Sequence, residues 1–135
     1  MLDSSSNGIT FCTGSFGSGY KNDLVDMAES FAKKISYIHL RNVIRNPNGD
    51  FLEANHLGGD IDMYGVMKAM LLEQHRRIVE GRMDSRMPFC PDHGHLMLAD
   101  QQRPKVYPGY SLFGRMRGLA ELRGLELGIR RSLGL

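Results

Sequence analysis

The residues best equipped for chemistry lie in one short stretch, Pro91-Asp92-His93-Gly94-His95, where a carboxylate and two imidazoles fall within four residues. It follows a short apolar run, Met87-Pro88-Phe89-Cys90, that reads as a buried strand. Two other strand-like runs end in the same manner. Gly8-Ile9-Thr10-Phe11-Cys12 ends in a thiol, and Ile35-Ser36-Tyr37-Ile38-His39 ends in an imidazole. In a parallel sheet the carboxy-terminal strand ends open on one side, and the loops that follow present reactive side chains from a fixed backbone. Cys12, His39 and Asp92 are therefore expected to converge, one from each strand. Thiolate, imidazole and carboxylate together suit a borderline divalent cation such as Fe²⁺, Mn²⁺, Co²⁺ or Zn²⁺. Taken singly they have ordinary readings: a small buried cysteine, a hydrogen-bonded histidine, a helix-capping aspartate. Their shared register is what points to a metal.

Other residues gather around that trio. His93 adjoins Asp92, and an imidazole beside a cation can move protons near neutral pH; the alternative is a hydrogen bond within the loop. His95 reads as a supporting residue one step further out. Tyr110, after Pro108-Gly109, ends a long loop and is either a proton donor on a lid-like segment or a packing residue. Arg41 and Asn42 follow His39 after a single residue, Leu40. An arginine there can take a substrate carboxylate through two hydrogen bonds, or form a surface ion pair. His56, in the loop before a long helix, is a further candidate for substrate contact.

The elements that must position these groups follow from periodicity. A strand over 9–13 leads into a Gly/Ser loop over 14–20. Asn22 or Asp23 caps a helix with apolar Leu24, Val25, Met27, Ala28, Phe31 and Ala32, closed by Lys33-Lys34. A second strand covers 35–40. Asn46-Pro47-Asn48-Gly49 between two short β-rich runs predicts a hairpin over the strand end, since Asn-Gly favours positive φ. Asp60 or Asp62 caps a helix with Met63, Val66, Met67, Met70 and Leu71 on one face, ending at Arg76-Arg77 with Gly81 beyond. A third strand covers 87–90, a polar loop 91–109, and a last helix runs from Leu112 to about Leu133. Gly114, Gly118, Gly124 and Gly128 weaken that helix by about 1 kcal/mol each unless close packing needs them. The three βα units imply an α/β fold with parallel strands, covered on both faces. Three strands cannot close a barrel, so the chain reads as part of a larger sheet.

With 135 residues and 41% hydrophobic content the chain can build one domain core, which argues against disorder. The net charge of +2 and the mixed acids and bases argue against a nucleic-acid binder. Arg115, Arg117, Arg123, Arg130 and Arg131 read as the solvated side of an amphipathic helix. Two cysteines are too few for a disulfide framework. The polar start, 1–8, lacks the apolar stretch of a secretory signal, and no run reaches the length of a membrane span. A reducing cytoplasm is the expected setting, and it keeps thiols free for metal.

Several motifs are specific when taken in order: Asn7-Gly8-Ile9-Thr10-Phe11-Cys12-Thr13-Gly14-Ser15, His39-Leu40-Arg41-Asn42, Asp62-Met63-Tyr64, Pro91-Asp92-His93-Gly94-His95, Pro108-Gly109-Tyr110-Ser111 and the run from Gly114 to Leu125. Together they closely resemble the carboxy-terminal third of the bacterial D-mannonate dehydratases, xylose-isomerase-like (β/α)₈ barrels. The resemblance implies a partial (β/α)₈ TIM barrel over residues 1–135: the last three βα units, with parallel strands. It implies loss of water from D-mannonate to give 2-keto-3-deoxy-D-gluconate in hexuronate (glucuronate) breakdown, with Fe²⁺ or Mn²⁺. Cys12, His39 and Asp92 match family metal ligands, and His93 and Tyr110 match residues proposed to move protons. Two departures stand out. The first five strands, with a further metal-binding histidine, lie outside the match, and Cys90 stands where an arginine is expected. The isolated chain is therefore expected to be inactive, or active only with a complementing amino-terminal chain; that part or a homo-oligomer is the expected partner. A sugar isomerase or epimerase on the same barrel, or a non-catalytic remnant, are the competing expectations.

Overall fold

The apolar residues Phe11, Ile35 and Ile38 mark the closed face of the sheet, and an irregularity in the second strand, where Ile35 pairs with Ile9 but Tyr37 with Thr10, brings Ile35 and Ile38 to the same side. The computed structural model describes residues 4 and 6–135, so the expected polar lead-in over 1–7 lies partly outside the described residues. Strand β1 (Ile9–Cys12) pairs in parallel with β2 (Ile35–His39), and β2 pairs in parallel with β5 (Phe89–Cys90), giving the order β1-β2-β5. Between them come helices α1 (Thr13–Gly17) and α2 (Leu24–Phe31), the hairpin β3 (Val43–Arg45) and β4 (Phe51–Glu53), and helix α3 (Met63–Val79). Helix α4 (Leu112–Leu133) closes the chain. The architecture is α/β, with the expected parallel strands.

Phe11, Ile35 and Ile38 are buried in one core with Leu24 and Ala28 of α2, Val66, Met67 and Met70 of α3, and Leu122 and Ile129 of α4. The intervening strand residues face the other way: Thr10 is exposed, and Cys12, Tyr37, His39 and Cys90 are half-buried. Among the described residues the helices therefore cover one face only, which corrects the expectation of cover on both. The physical reason is that the strands are not continuous apolar runs: polar or half-buried residues separate the core positions, with Ser36 and Tyr37 between Ile35 and Ile38.

Local chemistry sets the boundaries. Asp23 caps α2, accepting from the backbone N–H groups of Val25 and Asp26 at 3.0 Å each. Asp62, not Asp60, caps α3 by accepting from Gly65 N at 2.9 Å. Met63, Val66, Met67, Met70 and Leu71 are all buried, as their spacing predicts, whereas Phe31 of α2 is exposed. The loop expected over 14–20 begins as the one-turn helix α1; tertiary contacts, not Gly/Ser propensity, hold it. Gly49 has φ +94°, and the hairpin pairs Val43 with Glu53 and Arg45 with Phe51.

The basic end of α3 is not a simple dipole partner. Arg77 is 1% exposed. Its guanidinium donates to the carbonyls of Ala32 (2.8 Å), Ile35 (2.9 Å) and Asp84 (3.0 Å), and to Glu73 Oε1 (2.7 Å). It thus ties the amino-terminal end of β2 to α3. Three arginines of α4 pair within their own helix, Arg117 with Glu121 and Arg123 and Arg130 with Glu126, and Arg130 also donates to Gln74 of α3. Its glycines divide. A Cβ on Gly114 would meet the His95 carbonyl at 2.1 Å, and one on Gly118 would meet the His56 ring at 2.2 Å, while Gly124 and Gly128 face open space. Among the described residues no helix is long and apolar enough to cross a membrane.

Burial works to raise the Glu73 carboxyl, but hydrogen bonds from Arg76 and Arg77 outweigh it and hold the group below the usual glutamate range. A lowered folded value means stability that is complete above the ordinary pKa of about 4.3 and is lost as pH falls through the folded value. Glu73→Gln is expected to cost about 3 kcal/mol at neutral pH by leaving the buried Arg77 without its nearer charge partner, with only Asp84 at 3.9 Å remaining, and the gap to wild type is expected to close below about pH 4; urea melts across a pH series measure this. By the same method Gly124→Ala is expected to stabilise by up to about 1 kcal/mol. Gly118→Ala is expected to destabilise by about 1–3 kcal/mol, because the His56 ring cannot yield.

Candidate metal centre

The site is assembled by three strand ends and locked by one hydroxyl. Cys12 lies level with His39 in the β1–β2 register, and His39 with Cys90 in β2–β5. Immediately after Cys12, the fully buried Thr13 accepts a hydrogen bond from Arg41 N at 2.9 Å, and its hydroxyl lies within donating distance of the His39 carbonyl (3.0 Å) and the Arg41 carbonyl (2.5 Å). Thr13 thereby fixes the two strand ends against each other.

Asp92 reaches the same place by an unusual backbone. Its φ is +59°, and His93 N donates to the Pro91 carbonyl across it at 2.8 Å, a three-residue turn of the rarer, positive-φ kind. Aspartate tolerates this left-handed region better than most residues. The turn brings the carboxylate back over the strand ends: Asp92 Oδ2 lies 3.9 Å from Cys12 Sγ, and Oδ1 lies 3.7 Å from His39 Nδ1. One donor atom from each of Cys12, His39 and Asp92 lies within 4.8 Å of the other two. Two metal–ligand bonds of about 2.0–2.3 Å span at most about 4.5 Å, so the soft–borderline–hard donor set fits one divalent cation with small adjustments. Ser15 Oγ donates to Cys12 Sγ at 3.2 Å.

A second cluster adjoins the trio. His93 Nε2 lies 3.7 Å from Asp92 Oδ2 and 3.0 Å from the Tyr110 hydroxyl. The Tyr110 loop is stapled to the His93 loop by a Gly94–Tyr110 bridge and by Gly94 N donating to the Gly109 carbonyl at 2.8 Å. Behind it Ser111 caps α4, accepting from Gly114 N at 2.9 Å and donating to Asp100 Oδ2 at 2.5 Å. Asp100 belongs to a short 3₁₀ turn, Leu98–Gln102, inside the expected polar loop.

Glu53, which sequence reasoning missed, joins the two sides. It accepts from Arg41 Nε at 2.9 and 3.0 Å, pairs with Arg41 Nη2 at 2.8 Å, and sits 2.9 Å from His93 Nδ1. Burial works to raise its carboxyl, and the hydrogen bonds from Arg41 and His93 outweigh this and hold it below the usual range. The available signal was an acid at the return end of a hairpin expected over the strand ends.

The remaining sequence candidates lie around the site as follows. Asn42 is 1% exposed; its amide donates to the His56 and Ile61 carbonyls and accepts from Val43 N and Ile61 N. His56 is buried, with Nε2 3.0 Å from the Pro91 carbonyl. His56 thus supports the backbone just before Asp92, and Asn42 holds the 56–61 loop that carries His56. His95 is exposed. The neighbouring Cys90 thiol, with burial, pushes the pKa of the Tyr37 phenol up.

The fold and the trio define an α/β protein with a Cys/His/Asp donor set that could hold a divalent metal. The family model for D-mannonate dehydratase (UxuA) matches residues 1–133, and the chain belongs to that family. It is 53% identical over 124 residues to a mannonate dehydratase of Saccharophagus degradans, covering 92% of this chain and 31% of that protein. It is 51% identical over 128 residues to a mannonate dehydratase of Marinomonas sp., covering 94% and 32%. It is 48% identical over 132 residues to mannonate dehydratase 2 of Agrobacterium fabrum, covering 98% and 33%. The chain spans about a third of the length of these relatives.

Co²⁺ added to the chain is expected to give a thiolate-to-cobalt charge-transfer band that Cys12→Ser abolishes. His39→Ala and Asp92→Ala are each expected to weaken Mn²⁺ binding by more than about tenfold, read by calorimetric titration.

Proposed function

We propose that residues 1–135 are the last three βα units of a (β/α)₈ barrel and the carboxy-terminal third of a mannonate dehydratase. In this reading the completed enzyme is a metal-dependent hydro-lyase. It converts D-mannonate to 2-keto-3-deoxy-D-gluconate and water, in the cytoplasmic breakdown of hexuronates. The observation that carries the reading is the contact between the Cys12–His39–Asp92 trio and the His93–Tyr110 pair, with 3.7 Å between Asp92 and His93. A one-sided sheet with open edges at β1 and β5 and a half-open site face supports an incomplete barrel.

Cys12, His39 and Asp92 would hold Fe²⁺ or Mn²⁺, which when bound supplies a Lewis acid for substrate oxygens. This chain's own groups do the rest. The proton on C2 of a sugar acid, beside the carboxylate, is weakly acidic, and the C3 hydroxyl leaves only if it gains a proton. His93 and Tyr110, hydrogen-bonded to each other, share these two tasks, and the enol left behind tautomerises to the 2-keto acid. Arg41 keeps guanidinium N–H groups beyond those bound by Glu53 and would take the substrate carboxylate. Asn42 and His56, also expected near substrate, are both buried and would contribute by holding the 56–61 loop and the backbone before Asp92.

Purified alone with Mn²⁺, the chain is expected to leave D-mannonate unchanged. Co-expressed with the amino-terminal two thirds of a relative, it is expected to yield a 2-keto-3-deoxy acid in a thiobarbiturate assay. His93→Ala and Tyr110→Phe are each expected to lower that rate by at least about 100-fold. Turnover by the chain alone, or none in the complemented enzyme, would overturn the proposal.

A further inference from the structure

We propose that Glu53 is the positioning residue for His93: its carboxylate, anchored by Arg41, takes the Nδ1 proton of the imidazole and leaves Nε2 to face the Tyr110 hydroxyl. The inference rests on the reading of His93 and Tyr110 as the proton-transfer pair.

Glu53 and His93 come from separate elements 40 residues apart, the return strand of the hairpin and the loop after β5. Their atoms nonetheless lie 2.9 Å apart. An ionised carboxylate only accepts, so the shared proton belongs to Nδ1. The Arg41 guanidinium, bound through Nε and Nη2, keeps the carboxylate ionised and fixes its plane. With Nδ1 committed, Nε2 is the accepting nitrogen, 3.0 Å from the Tyr110 hydroxyl, which donates to it. Which ring nitrogen carries a proton is set by the bond the other one makes.

The alternative state is close at hand. Asp92 Oδ2 lies 3.7 Å from the same Nε2, beyond ordinary hydrogen-bond range. An Nε2–H imidazole would be drawn toward that carboxylate and would meet the Tyr110 oxygen as a donor. The tyrosine could then no longer pass its proton to the ring. Glu53 selects against this arrangement, so the pair can exchange a proton without the ring turning.

The test is read on the full chain without metal. Ring-¹⁵N-labelled protein, held about 1.5 units above the ordinary histidine pKa, reports by nitrogen–carbon-proton correlation which nitrogen of His93 is protonated. The expected result is an Nδ1–H ring in wild type and a shift toward Nε2–H in Glu53→Ala. A wild-type ring carrying its proton on Nε2, or on both nitrogens, would overturn the proposal, as would a folded Glu53→Ala variant that keeps the Nδ1 proton. If Glu53→Ala does not fold, the wild-type ring decides on the same criterion. In the complemented enzyme Glu53→Gln is expected to lower kcat about 10–100-fold with KM within about twofold. A change confined to KM would instead assign Glu53 to substrate binding through Arg41 and overturn the positioning role. Failure of turnover in the wild-type complemented enzyme bears on the dehydratase reading alone, because the ring tautomer is read without it.

Discussion

Parallel pairing of β1 with β2 sets Cys12 level with His39, and every other feature of the site leans on that register. Strand side chains alternate, so a slip of one residue would turn the thiol into the helical layer and bring Phe11 out to solvent. Two devices resist the slip. Phe11 and Ile38 are buried among the helices, so the pattern itself resists displacement. Thr13, directly after the thiol, bonds both partners of the second strand end. At the far end of β2 the buried Arg77 performs a comparable task, holding the Ala32 and Ile35 carbonyls against α3.

The second layer of order is polar and lies above the sheet. Arg41, Glu53, His93 and Tyr110 form a chain of contacts that runs from the β2 exit, through the hairpin, to the loop before α4. No two of these four lie on the same strand or helix. The hairpin therefore works as a strut: its tight Gly49 turn sends β4 back across β3, and that return carries the carboxylate to the imidazole. Gly94 and Gly114 allow the backbones of the His93 loop and of α4 to touch, which fixes the height of Tyr110 above the strand ends.

The convergence of Cys12, His39 and Asp92 was legible in the sequence because it depends on strand ends, and strand ends follow from short apolar runs. The hairpin and the α3 face were legible for the same local reasons. The Glu53–His93 contact was not, since it is closed by tertiary folding across 40 residues with no periodic signal. Arg77 carried the ordinary look of a helix-ending base, and only the packed structure gives it buried carbonyl partners. The helix glycines divided along a line that sequence cannot draw: Gly114 and Gly118 are required by close approach, Gly124 and Gly128 by nothing in this chain. Cover on one face rather than two followed from the polar residues interspersed in the strands, which a coarse count of βα units overlooks.

The left-handed turn at Asp92 has a thermodynamic corollary. A short peptide would seldom hold that backbone, so the carboxylate is aimed only while the surrounding protein keeps the turn in place. The three donors thus exist as a set in the native ensemble and are scattered in the denatured one. Any ion captured by the set draws the folding equilibrium toward the native side through mass action, and apparent melting temperature becomes a function of free cation concentration.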